Sequence, residues 1–138
     1  MADYYISGIG IFGTGLVGWQ TSEPVLAGRE KYVFADLPKL APALLPAGVR
    51  RRAGSYIRLA VEVAAEAVDS SGLDPSLLAS VFTTKESDGT ITDAICRAIC
   101  EEEPVVSPTM FHNSVTNAPA GYWCMAVQSM KPSTSIAG

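Results

Sequence analysis

Histidine occurs once in this sequence and cysteine three times, and nowhere does an apolar run approach the length of a bilayer. Each shortage excludes something. A spanning helix needs about 18 apolar residues in a row, so no membrane span is expected. The N-terminus opens Met-Ala-Asp-Tyr-Tyr, with no basic stretch ahead of an apolar one, which argues against a signal peptide. Three cysteines are an odd count and too sparse for a disulfide framework, so a reducing cytoplasm fits them best. Basic charge is short as well. Ten Lys and Arg against fourteen Asp and Glu give a net charge of −4, whereas nucleic acid is usually recognised by a basic face. The cluster Arg50-Arg51-Arg52 is too short to reverse that, and no nucleic-acid partner is expected.

Apolar residues are what the 138-residue chain has in plenty: 48% are hydrophobic and 17% charged. The charged share lies below the roughly 25% of an average soluble protein, and mean hydropathy is +0.22. Such a balance fits strands buried on both faces, a large subunit interface, or part of something larger.

The hydrophobic pattern divides the chain. Tyr4 to Phe12 is β-branched and aromatic, broken by Gly8 and Gly10, and predicts a buried strand. Glycines at 13, 15 and 18 mark a loop. Four prolines between Thr21 and Val49 permit only short pieces, with room for one helical turn in Leu37–Leu45. From Ser55 to Ser71 polar residues fall at Ser55, Arg58, Glu62, Glu66 and Asp69, and nearly everything between is apolar. That spacing predicts a helix with one narrow wet stripe, capped by Gly72. Leu78–Thr84 reads as a second buried strand. A helix is expected to begin at Thr90 and to end by Pro104, and a loop around Pro108 follows. A short helix over Asn117–Gln128 and a strand over Ser133–Ala137 complete the order. Strands alternating with helices predict an α/β fold with helices covering a largely parallel sheet. The sequence stops on Gly138 directly after a strand, so an incomplete domain is expected.

Few residues offer chemistry. Gly8, Gly10 and Gly13, and again Gly13, Gly15 and Gly18, have the spacing of a dinucleotide-binding loop, with Tyr32–Ala35 as the next strand and Asp36 at its end. The crossover helix would be Leu16–Gly28, which contains Gly18 and Pro24 and so disfavours a helix. The competing expectation is a glycine-loosened strand and its turn. Cys96 and Cys100 share one helix face without further ligands nearby, which predicts small core or edge residues rather than a metal site. Cys124, between Trp123 and Met125, is expected to pack. His112 is placed in a polar loop with a structural role, and Glu101–Glu103 reads as a solvated run. No cofactor and no metal are called for.

Three stretches together carry a family resemblance. Ile6-Ser7-Gly8-Ile9-Gly10 resembles the opening strand of β-ketoacyl-acyl-carrier-protein synthases. The helix ending Ser70-Ser71-Gly72-Leu73-Asp74 resembles their A-x-x-A-L-x-x-A-G-L-D segment. Ser107-Pro108, Asn117-Ala118-Pro119-Ala120-Gly121 and Pro132-Ser133-Thr134-Ser135-Ile136-Ala137 resemble, without gaps, their S-P … N-x-x-A-G … G-P-S-x-S-I-x-T-A-C stretch. Phe111-His112-Asn113-Ser114-Val115 and the following Tyr122-Trp123 are most similar to the ketosynthase and chain-length-factor branch of aryl-polyene-type pathways. Lys131 stands where active synthases usually have glycine.

The resemblance implies a thiolase-like fold, with residues 1–138 forming most of its N-terminal half. It implies decarboxylative Claisen condensation on acyl carrier protein and acyl thioesters, performed or supported by the complete protein in fatty-acid, polyketide or aryl-polyene assembly. A homodimer, or a heterodimer with a ketosynthase, follows. The family nucleophile would fall about two residues beyond Gly138, so Cys96, Cys100, Cys124 and His112 match no catalytic position and the chain alone is expected to be inactive. Met110 and Phe111 are implied near the floor of the acyl pocket. Ser133, Thr134, Ser135 and Ile136 are implied at the strand that pairs between subunits. The rival reading from another class is a small dinucleotide-binding module built on Gly8, Gly10 and Gly13.

Overall fold

The computed structural model describes residues 3–138. Its elements are β1 (Phe12–Gly13), β2 (Leu16–Val17), α1 (Trp19–Leu26), α2 (Ala47–Arg52), α3 (Ser55–Ser71), a 3-10 turn (Pro75–Leu77), β3 (Ser80–Thr84), α4 (Gly89–Ile99), α5 (Pro108–Ser114), α6 (Ala118–Ala126) and β4 (Ser133–Ala137).

Helix α3 covers the residues its periodicity predicts, and Gly72 ends it at a φ of 68°, which a side chain would resist. Ile57 and Val61 lie one turn apart and are fully buried. They meet Ala118, Tyr122 and Trp123 of α6, and Leu45, Ala53 and Val127 close the same core. Much of the rest of α3 is only half-buried, less than its apolar circumference suggested. The polar stripe is wet only at its ends, Ser55 and Asp69, while Arg58, Glu62 and Glu66 are half-buried. Residues 8–19 and the proline-rich stretch cover these three: Glu66 binds the Ile11 and Trp19 amides, Arg58 reaches the Leu40 carbonyl, and Glu62 has one buried oxygen without a partner.

β3 and β4 pair in parallel, from Ser80 opposite Ser133 to Thr84 opposite Ala137. The crossover between them carries α4, α5 and α6, as parallel pairing requires. β1 and β2 form a separate antiparallel ladder, with Gly15 at a φ of 69° in its turn.

Several expectations need correction. The strand expected over Tyr4–Phe12 is extended chain of which only Phe12 pairs. No neighbouring strand among the described residues takes its backbone, and Tyr4 is 93% exposed. Tyr32–Ala35 is not a strand; the Ala35 carbonyl accepts one bond from Gly15 and the Tyr32 hydroxyl binds the Thr14 carbonyl. A helix does form within Leu16–Gly28, because Gly18 lies outside it as the cap and Pro24 interrupts only its second half. β3 is shorter than Leu78–Thr84 and alternately exposed, with Val81 65% exposed. The segment expected as a loop around Pro108 is α5, since proline at a first helical position forfeits no helix bond. The start of α4 is set by Asp88, whose Oδ1 accepts the Ile91 N–H at 3.1 Å, rather than by Thr90. Leu37–Leu45 holds one turn, closed by the Leu45 N–H on the Pro42 carbonyl at 3.2 Å.

Candidate functional site: the face of α5, α6 and β4

Asparagine 113 organises this region. It is buried on α5; its Nδ2 donates to the Arg52 carbonyl at 2.6 Å, and its Oδ1 accepts the Tyr122 hydroxyl at 3.0 Å. One side chain thereby fixes the end of α2, the last turn of α5 and the middle of α6. Beside it opens a cleft of about 760 Å³, where Val49, Pro108, Val115 and Met125 supply an apolar wall and Arg52 and His112 supply polar groups. The His112 and Tyr122 rings lie 6.0 Å apart, tilted by 53°. His112 is therefore an exposed helical residue on the cleft rather than a loop residue. The sequence pattern missed this cleft because α5 was hidden behind its proline.

Met110 and Phe111 stand on the same helix, Met110 half-buried and Phe111 65% exposed. Neither lines the cleft. On β4 the Ser133 hydroxyl shares a hydrogen bond of 2.8 Å with Ser80 across the strands. Thr134 and Ile136 are exposed, and the Ser135 hydroxyl is buried without a partner. α6 packs on both α5 and β4, so it links the two sets of residues.

A second cleft of about 540 Å³ runs along α3 beside Phe12, Leu44, Glu62, Glu66 and Trp123. A third, about 490 Å³, lies between α3 and β3. Among the described residues no group of three or more His, Cys, Asp or Glu could hold a metal, and no helix is long and apolar enough to cross a membrane. All three cysteines are free. Of the two positions expected for them, core or edge, Cys96 and Cys100 take the edge, since both are exposed, whereas Cys124 packs against the core.

The first two glycines of the dinucleotide pattern are committed elsewhere. A side-chain carbon at Gly8 would overlap the Ala67 carbonyl oxygen, and one at Gly10 the Val63 carbonyl oxygen. Both glycines exist for contact with α3. They do not form an open cradle at a helix N-terminus.

Comparison with known proteins agrees with the other reading. The family described as beta-ketoacyl synthase, N-terminal domain, matches residues 19–138. Among solved structures the chain is similar to a ketosynthase (ApeO) in complex with its chain length factor (ApeC) from Xenorhabdus doucetiae. That likeness has 23% identity and a TM-score of 0.74, over 94% of this chain and 52% of that one. It is also similar to the ishigamide ketosynthase/chain length factor, at 18% identity and a TM-score of 0.67, over 95% of this chain and 44% of that one. The chain thus spans about half the length of these structures. No curated protein matches it. With the α/β alternation and the parallel β3–β4 pair, these findings establish a thiolase-like fold, and the chain belongs to the beta-ketoacyl synthase N-terminal domain family.

Proposed function

We propose that the 138 residues form the N-terminal part of a cytoplasmic β-ketoacyl synthase or of its non-catalytic chain-length factor. The complete protein would perform or support decarboxylative condensation of acyl thioesters carried on acyl carrier protein. The observation that carries this reading is the family match over residues 19–138, with the fold alike at a TM-score of 0.74. In this reading residues 1–138 are one partial domain, and the partner is a second subunit of the same fold, either a copy or a ketosynthase. Ser133, Thr134, Ser135 and Ile136 contribute the strand edge facing that subunit; Thr134 and Ile136 stand exposed for it.

Met110 and Phe111 would bound the acyl chain. Both are apolar side chains on a helix held to the core through Asn113, so their volumes are presented from a fixed backbone. The test uses the complete protein with its partner subunit. Met110→Ala lengthens the product and Met110→Trp shortens it. Wild-type length at reduced yield in both variants would assign Met110 to packing.

The 138-residue chain by itself should give no ketoacyl product from malonyl- and acyl-carrier protein. None of its cysteines stands at the first position of a helix. Cys100 ends α4 beside Glu101. Ketoacyl product from the purified chain overturns that statement.

A further inference from the structure

Cysteine is among the residue types most often buried, yet Cys96 and Cys100 are both exposed and both free. Ile91, Ala94, Ile95 and Ala98 form the half-buried side of α4, and the two cysteines fall with Asp93 and Arg97 on its exposed side. Burial therefore accounts for neither thiol.

Spacing sets what the pair can do. Side chains four residues apart on a helix meet, with Cβ atoms about 5–6 Å apart. Asp93 and Arg97 show this on the same face, joined at 2.8 Å. Cys96 lies in the last turn of α4. Cys100 follows its end in helical conformation, at φ −84° and ψ −4°, with its N–H on the Arg97 carbonyl at 3.0 Å. Both thiols thus leave the same side of a regular backbone. A disulfide needs Cβ atoms about 3.5–4.5 Å apart, so closing one would unwind the helix end. An ion between the sulfurs removes that conflict, because two metal–sulfur bonds of about 2.3 Å placed in line span about 4.6 Å.

The ligand count selects the ion. Zinc takes four ligands, and among the described residues no group of three or more His, Cys, Asp or Glu could hold a metal. Asp93, on the same face, is already held by Arg97. Two thiolates without further donors suit a soft ion that accepts two sulfurs in line, and thiolate ligands favour copper(I).

We propose that Cys96 and Cys100 bind one copper(I) ion between their sulfurs. Each thiol releases its proton to solvent as its sulfur bonds the ion, and copper stays in the +1 state. The inference goes beyond the condensing function and does not rest on it.

The test titrates the reduced 138-residue chain, without oxygen, with copper(I) buffered by bicinchoninate. The chain draws one equivalent from the chelator, and the bound copper shields Cys96 and Cys100 from iodoacetamide, as peptide mass spectrometry reads. Cys96→Ser and Cys100→Ser each weaken binding about 100-fold or more, because the second sulfur must then come from another molecule. Cys124→Ser leaves the affinity unchanged. Ala98→Cys/Cys100→Ser keeps the number of thiols but sets the pair two residues apart, where side chains do not face each other, and shows the same loss. A chain that takes no copper, that loses it with Cys124→Ser, or that keeps it in Ala98→Cys/Cys100→Ser overturns the proposal. Far-UV circular dichroism checks that the variants fold. The alkylation measurement needs wild type alone, and bound copper that leaves Cys96 and Cys100 reactive overturns the proposal as well.

Discussion

Removing the Glu66 carboxylate should release residues 3–19 from α3 while leaving the core in place. Its Oε2 accepts the Ile11 N–H at 2.9 Å, and its Oε1 accepts the Trp19 N–H at 2.5 Å. Trp19 opens α1, whose cap residue Gly18 has no side chain to take a free helix donor. Glu66 therefore caps α1 from another helix, and its negative charge also suits the positive end of that helix. A hydrogen bond to a charged group contributes about 1.5–3 kcal/mol. Two such bonds to a half-exposed carboxylate support a loss of about 3 kcal/mol in Glu66→Ala and about 2 kcal/mol in Glu66→Gln, which keeps one acceptor oxygen.

Glu62 supplies the control one turn earlier on the same helix. One of its oxygens is buried with no partner, so neutralising it sacrifices no bond at that atom. Glu62→Gln should stay within about 0.5 kcal/mol of wild type or be more stable. Urea unfolding followed by circular dichroism gives the three values, and Glu66→Ala should lower Tm by about 10 °C at this chain size. Amide exchange locates the effect: Ile11 and Trp19 lose protection while Ile57 and Val61 keep theirs. Equal costs for Glu62→Gln and Glu66→Gln, or intact protection of Ile11 and Trp19 in Glu66→Ala, would refute the reasoning.

Three further outcomes follow from the same contacts. Gly10→Ala should speed proteolysis of residues 3–11, since its methyl meets the Val63 carbonyl, whereas Gly13→Ala, with open space around it, should not; equal cleavage of the two would contradict the close approach. Asn113→Ala leaves the Arg52 carbonyl and the Tyr122 hydroxyl unpaired and should cost about 2–4 kcal/mol, against about 1–2 for Tyr122→Phe; a double-mutant cycle without coupling would show that no bond joins them. Ser76 donates both its hydroxyl and its backbone N–H to Asp74, which holds that carboxyl below the ordinary aspartate range. The stabilisation is therefore present above the unfolded pKa and fades as pH falls through the lower folded one. By NMR titration, Ser76→Ala should move the Asp74 midpoint upward, and an unmoved midpoint would remove Ser76 as the cause.

Legibility in the sequence followed where each element finds its partners. α3 was readable because its period and its Gly72 cap are both local signals, and its bounds match those expected. Ser133–Ala137 was readable too, as a short stretch after Pro132 with β-formers at Thr134 and Ile136, although nothing local said that β3 would receive it. Tyr4–Phe12 has equal strand propensity and is not a strand, because propensity supplies no neighbour and a ladder needs one. The same rule explains Glu66. A glutamate in a helical polar stripe reads as solvated until the chain 47 and 55 residues earlier folds over it, and no spacing rule spans that separation. At the candidate site the order reverses. The roles of Met110, Phe111 and Ser133–Ile136 came from resemblance to a family, and local pattern alone placed Met110 and Phe111 in a loop around Pro108. What fixes Met110 and Phe111 in space is Asn113, which the resemblance named only as part of a motif and gave no role, through bonds to Arg52 and Tyr122 that exist only once α2, α5 and α6 have met.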